Sequence, residues 1–295
     1  MANTQTISPS QNVIGKYLSL VKFSHTIFAL PFALIGFTLA VVYEQQTFHW
    51  YLLVFMLLCM VFARSAAMAF NRFLDRKFDA LNPRTAIREV PAGIIKPQHA
   101  LIFTIVNCVL FVITTYFIND ICFYLSPVAL FVVLFYSYTK RFTALCHLVL
   151  GVGLALAPIG AYLTVTGYFN ILPLLFSFAV LTWVSGFDII YALQDEAFDK
   201  GQKLHSIPAA LGTKGALMVS NILHVFSALF VIAAGVYGQF GTCYWLGAAV
   251  FAGLLIYQHL LVKPNDLSKV NIAFMTTNGI ASIVFALLVI LDLLL

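Results

Sequence analysis

Asn71, Asp75 and Asp79 recur at every fourth position where an apolar run gives way to charge, inside the stretch Arg64 to Asp79. On an α-helix each step of four drifts only about 40° and climbs about 6 Å, so the three side chains line one face. Arg64 lies seven residues earlier, two turns deeper on nearly the same face. A second row closes the sixth apolar run, where Asp188, Tyr191, Asp195 and Asp199 fall at 0, +3, +7 and +11. That spacing again predicts one helical face. Carboxylate and amide oxygens in rows suit hard divalent cations, magnesium above all, which keeps water or phosphate oxygens in its remaining positions. Four carboxylates facing one another repel unless metal bridges them. Two rows at one membrane face therefore predict Mg²⁺ ions clamped between them, binding a diphosphate and neutralising it as it leaves. Arg and Lys side chains nearby would take the remaining phosphate oxygens. Solvated helix ends with a fortuitous spacing are the bland alternative, and the repetition of the spacing argues against it.

Two of these charges lie inside apolar sequence. Asp188 sits two turns deeper than Asp195, where a carboxylate costs about 2.5–3.5 kcal/mol on insertion scales and is by default functional or paired. Arg64 is the candidate partner at matching depth.

The elements that must position these rows follow from composition. The chain has 295 residues, 62% hydrophobic and only 9% charged, against roughly 25% charged for soluble domains. Mean hydropathy is +0.97. This is an all-α, polytopic membrane protein. Residues 1–12 are polar and predict a disordered tail with no cleaved signal peptide, and 13–23 an amphipathic helix whose Lys16 and Lys22 face headgroups. Apolar segments follow at 24–43, 50–71, 99–118, 121–138, 143–166, 171–192, 214–236, 242–262 and 269–294. That makes about nine transmembrane helices, each near the ~20 residues a bilayer needs.

Every Lys and Arg outside Arg64 falls before the first span or in alternate connections, while 44–49, 119–120, 167–170 and 237–243 carry none. The positive-inside rule then predicts a multi-pass protein of the cytoplasmic membrane, with the N-terminus and the basic loops in the cytoplasm. The net charge of +5 is accounted for by this topology and gives no signal for nucleic acid. Two basic connections are long, about 80–98 and 200–213. Asp75-Arg-Lys-Phe-Asp79 echoes Asp195-Glu-Ala-Phe-Asp199, and Val90-Pro-Ala-Gly93 echoes Ile207-Pro-Ala-Ala210. The echo predicts an internal repeat placing two half-sites on one side of the membrane. The five cysteines are scattered without a CxxC pair and read as small apolar residues. His25, His49, His99, His147, His205, His224 and His259 show no ligand spacing and read as interfacial or packing residues, with His205 the exception to watch. Gly151, Gly153, Gly160 and Pro158 predict close packing or a kink in the fifth span.

The two rows resemble the paired aspartate motifs of the UbiA superfamily of intramembrane prenyltransferases. Tyr138-Thr-Lys-Arg141 resembles that family's loop between spans four and five, Arg84-Thr with Arg88-x-x-Pro91-x-Gly93 its first long loop, and Phe23 to Pro31 its first span. The resemblance covers roughly 16–290. It implies one transmembrane domain over 13–295, with helices around a central cavity and the stretches near 72–98 and 195–213 capping a cytoplasmic site. It also implies Mg²⁺, a polyprenyl diphosphate and a small aromatic acceptor. Residues 88–93 read Arg-Glu-Val-Pro-Ala-Gly where many ubiquinone-pathway members have Arg-Pro-Leu-Pro-Ser-Gly, which leaves the reaction class intact and the acceptor open.

The expected roles are these. Asn71, Asp75, Asp79, Asp195 and Asp199 hold Mg²⁺, while Lys77, Arg84, Arg88, Lys140 and Arg141 bind phosphate or close the loops over it. Arg64 binds an acceptor carboxylate or the departing diphosphate, Asp188 orients or partly deprotonates a phenol, and Tyr191 hydrogen-bonds nearby; an Arg64–Asp188 structural pair accounts for the same residues. The allylic cation is sheltered by an apolar, aromatic cavity drawn from 28 Phe and 13 Tyr. 4-Hydroxybenzoate is the first acceptor and a dihydroxynaphthoate the second. An ion-coupled transporter is the alternative of a different class, though transporters place their broken helices at the bilayer midplane. A CDP-alcohol phosphotransferase would show Asp-Gly followed by Ala-Arg between its carboxylates, and the chain has no such motif.

Overall fold

The computed structural model describes residues 13–21 and 28–295. The expected tail 1–12, Lys22, His25 and the start of the Phe23–Pro31 segment lie outside the described residues. Among the described residues, eight helices are long and apolar enough to cross a membrane, and a shorter apolar helix covers Leu30–Tyr43. The chain runs through α1 (Val13–Val21), α2 (Leu30–Thr38, continued by a π turn to Tyr43), α3 (Trp50–Leu81), α4 (Pro97–Tyr116) and α5 (Asp120–Thr139). It continues through α6 (Cys146–Thr166), α7 (Ile171–Ala192), α8 (Glu196–Gly201), α9 (Ile207–Tyr237), α10 (Thr242–Leu261) and α11 (Asn278–Leu294).

Local chemistry sets the ends that matter for the site. Helix α3 runs ten residues past the expected span and stops at Leu81, because Asn82 precedes Pro83 and is held extended at φ −92°, ψ 116°. All three members of the first row are therefore on one unbroken helix. The second row differs from expectation. Helix α7 ends at Ala192, Leu193–Asp195 form a 3₁₀ turn, and α8 carries Asp199. The tighter turn rotates Asp195 and Asp199 off the helical register that links Asp188 to Tyr191. The second long loop is also shorter than the sequence suggests. Ser206 caps α9 by accepting from the Ala209 amide at 3.2 Å, and Pro208 sits in the first turn. What looked like loop to 213 is a helical turn, set off from the rest of α9 at Gly212, whose φ of +69° is left-handed.

Helix α7 is the axis of the bundle, with 67% of its apolar stretch buried against 11% for α5. It packs on α6 and α9, and α2, α10 and α11 close round it. Trp183, Phe176, Phe32, Phe251, Phe285 and Tyr244 are fully buried in this core. Inside it, Asn278 accepts from Trp183 Nε1 at 2.8 Å and from Gln258 Nε2 at 2.6 Å, which satisfies two donors that have no water to turn to. On the other side α3 packs on α4 and α5. Their outer faces carry exposed Ile102, Ile105, Val109, Val128 and Phe131, an apolar belt of the kind lipid covers. Helix α1 is docked on protein: Leu20 is fully buried with Ala69, Val90 and Ala100, and Ser19 donates to Glu89 at 2.5 Å.

Candidate active site

Both rows open into one cavity of about 220 Å³, between α3, α5, α6 and α7 at the end of the bundle that carries the basic loops. Pockets for drug-sized ligands run about 300–1,000 Å³, so this space suits a charged head group or a single ring. Asn71, Asp75, Asp79, Asp188, Tyr191 and Asp195 line it from the helices, and Arg84, Arg88, Lys140 and Arg141 from the connections.

The expected mutual repulsion of carboxylates is resolved in another way: each faces a cation. Arg141 donates to Asp75 at 2.8 Å and also holds the carbonyls of Ser137 and Leu74 at 2.9 and 3.2 Å. Arg88 bonds Asp79 at 2.7 Å. Arg84 forks onto both oxygens of Asp195, through Nε at 3.0 Å and through Nη2, while Asn82 donates to the same carboxylate at 3.0 Å. Lys140 reaches Asp199 at 2.7 Å, and Ser206 donates to its other oxygen at 2.8 Å. Asn71 donates to Asp75 at 2.9 Å and accepts from Arg72 at 3.1 Å.

Arg84 is engaged on two sides. Its Nη1 donates to the Tyr191 hydroxyl at 3.0 Å, and its guanidinium stands 5.2 Å over the Tyr191 ring. Tyr191 is in turn stacked on Phe274, with centroids 4.1 Å apart. Burial works against the Arg84 charge, but the bonds to Asp195 and Tyr191 outweigh it and hold the guanidinium above its usual value.

Three expected site residues lie elsewhere. Lys77 is exposed on α3 and does not line the cavity, because a step of two from Asp75 or Asp79 turns it to the opposite face. Asp199 is fully buried behind the lining and reaches the cavity only through Lys140. Arg64 is not among the lining residues and is not the partner of Asp188. That partner is His147 of α6, whose Nδ1 lies 2.7 Å from Asp188 Oδ2. His147 was read as packing because nothing in its spacing points to Asp188, 41 residues away. The available signal was the cost of an imidazole inside an apolar span. His205, the residue singled out instead, is exposed, and its backbone donates to the Lys140 carbonyl at 2.7 Å. Asn82 was also missed, since a polar residue beside a proline reads as a turn.

The donor set fits a hard divalent cation in kind. Asp75, Asp79 and Asp195 offer carboxylate oxygens to the cavity, Asn71 adds an amide oxygen now taken by Arg72, and Asp79 Oδ2 is buried with no hydrogen-bond partner. No three acidic, thiol or imidazole ligands converge on one point among the described residues, so the site is not a closed cage. Magnesium is commonly held this way, by one or two carboxylates with substrate phosphates completing the shell.

Comparison with known proteins shows the family and the fold. The model of the UbiA prenyltransferase family matches residues 29–280. A 4-hydroxybenzoate octaprenyltransferase of Paraburkholderia phytofirmans is 30% identical over 273 residues, covering 91% of this chain and 93% of that protein. The apo structure of a UbiA homologue from Aeropyrum pernix K1 superposes with a TM-score of 0.82 at 30% identity, covering 91% of this chain and 98% of that one. A UbiA homologue from Archaeoglobus fulgidus, solved bound to GPP and Mg²⁺, shares the fold at a TM-score of 0.71 and 20% identity, covering 95% and 100%.

Proposed function

This chain belongs to the UbiA prenyltransferase family, and from that premise we propose that it transfers a polyprenyl group from polyprenyl diphosphate to 4-hydroxybenzoate. Membership of a prenyltransferase family sets aside the ion-coupled transporter. The pairing of each acid row with its own basic residues around one cavity supports the diphosphate part of this reading, and the name of the 30% identical relative supports 4-hydroxybenzoate as acceptor. A magnesium diphosphate is itself a set of paired charges. With it bound, Asp75, Asp79 and Asp195 would hold metal where each now holds an arginine, and Arg141, Arg88 and Arg84 would be free to bind phosphate oxygens. No charge is left buried and unpaired at either stage, which is the costly outcome.

In this account Asn71, Asp75, Asp79 and Asp195 hold Mg²⁺, and Asp199 acts by positioning Lys140. Bound metal supplies charge neutralisation of the diphosphate as it leaves. The protein's own residues do the rest. Arg84, Arg88, Lys140 and Arg141 bind phosphate oxygens, and Arg84 is kept in place by Tyr191. Phe78, Tyr136 and Leu150 wall the cavity and exclude water from the allylic carbon. Asp188, deeper in the cavity, accepts the hydrogen of the acceptor's phenol and orients its ring. Arg64 is not among the described residues that line the cavity and Lys77 is exposed on α3, so neither is assigned a substrate contact in this account. The segments flanking the site cap it from the cytoplasm, and 13–295 work as one domain in the cytoplasmic membrane.

The experiment is product identification. Purified protein in lipid receives Mg²⁺, a polyprenyl diphosphate and either 4-hydroxybenzoate or 1,4-dihydroxynaphthoate, and products are read by mass spectrometry. Prenylated hydroxybenzoate is the expected result. A prenylated naphthoate in its place would keep the reaction and replace the acceptor. Free diphosphate without either product would mean the acceptor is neither.

A further inference from the structure

We propose that His147 is the positioning residue for Asp188, holding it as an oriented hydrogen-bond acceptor in the cavity. The inference rests on the reading of Asp188 as the group that receives the phenolic acceptor.

The geometry assigns the tautomer. His147 Nδ1 is 2.7 Å from Asp188 Oδ2, and the backbone N–H of Ile207 points at His147 Nε2 over 3.4 Å. Ile207 is the first residue of α9, so its N–H has no partner within its helix and is available to donate outward. A ring nitrogen that faces an N–H donor presents its lone pair, because two N–H groups aimed at each other repel. Nε2 is therefore assigned as the acceptor of the Ile207 N–H, and the Nδ1 proton is given to Asp188.

Three elements are built around that one bond. The Ser185 hydroxyl of α7 holds the His147 carbonyl at 3.1 Å. The helices meet here because Gly151, one turn along α6, has no side chain: a Cβ there would stand 2.3 Å from Ser185 Oγ. The third element is the start of α9, which follows the short connection closing over the cavity. The pair is also one-sided. The His147 side chain is 4% exposed and that of Asp188 23%, so the carboxylate faces the open space and the imidazole backs it. Acting through Asp188, His147 fixes which carboxylate oxygen is spent and which is turned toward the acceptor.

The test has two arms. Protein labelled with ¹⁵N-histidine in lipid nanodiscs, with the His147 signals assigned by their loss in His147→Asn, reports the tautomer in the wild type. Protonated Nδ1 with unprotonated Nε2 is expected; the opposite tautomer or an imidazolium would overturn the assignment. In the second arm, His147→Leu removes the donor, while His147→Asn keeps an N–H close to the Nδ1 position. His147→Leu should raise KM for 4-hydroxybenzoate about tenfold or more, with KM for the diphosphate changed by less than about twofold. His147→Asn should return the acceptor KM to within about threefold of the wild type. Equal shifts for both substrates, or no rescue by Asn, would reduce His147 to a packing residue. Wild-type protein inactive toward every acceptor would overturn the function reading, and the acceptor role with it. The tautomer result would still decide the His147–Asp188 assignment by itself.

Discussion

Arg141, on the turn between α5 and α6, donates to Asp75 on α3 over 2.8 Å, and the same relation recurs around the cavity at Arg88–Asp79, Arg84–Asp195 and Lys140–Asp199. In each case the acid sits on or beside a spanning helix and the base on a connection. The connections are thereby drawn over the cavity by charges that a bound magnesium diphosphate would take over. On the proposed function, the side chains that tie the connections to the helices are the ones that would bind substrate.

Replacing Arg84 with lysine tests this engagement. A single ammonium cannot fork onto Asp195 and reach Tyr191 together, so kcat/KM for the diphosphate should fall about 10- to 100-fold. The pH dependence should change as well. The folded-state pKa of Arg84 is raised, so its contribution is complete below the ordinary arginine value and is lost only at higher pH. The wild type should therefore show no alkaline loss from this pair, whereas Arg84→Lys should acquire one near the lysine pKa of about 10.4. Rate measurements across pH check both. Unchanged kinetics would mean that Arg84 only ties down the loop.

Gly151→Ala tests the approach of α6 to α7. The added methyl would stand 2.3 Å from Ser185 Oγ and 2.5 Å from the Leu181 carbonyl, and backbone cannot give way as a side-chain end can. Overpacking of this kind costs about 1–3 kcal/mol. A lower melting temperature in detergent with weakened acceptor binding is expected; full stability and affinity would contradict the role given to this contact.

The buried polar node in the core makes a separate prediction. In Asn278→Leu the acceptor shared by Trp183 Nε1 and Gln258 Nε2 is lost, which orphans both donors. Each unsatisfied group costs about 1–3 kcal/mol. Thermal unfolding should shift down by several degrees, with little change in KM for the folded fraction, because Asn278 does not itself line the cavity.

The sequence was most legible where one rule decides the outcome. Apolar runs of bilayer length gave the spans, and a four-residue period put Asn71, Asp75 and Asp79 on one face, because α3 is unbroken through all three. The second row was read as continuous helix, and the 3₁₀ turn at Leu193–Asp195 broke that register without a glycine or proline to announce it. Partnerships were the least legible. Arg64 and Asp188 match in depth, but depth does not fix which side of a helix faces which neighbour, and the packing of α6 on α7 gave Asp188 to His147. Likewise, composition could show that acids and bases gather at one end, yet only the folded chain pairs them one to one.

The central claim is that the two rows hold the metal on which prenyl transfer depends. It is tested most directly by turnover of purified protein in lipid, supplied with Mg²⁺, polyprenyl diphosphate and 4-hydroxybenzoate, beside Asp75→Asn and Asp195→Asn. The account predicts prenylated product from the wild type that disappears on chelation, and none from either variant although both remain folded. Near-normal turnover in both variants, or product that persists without magnesium, would contradict it.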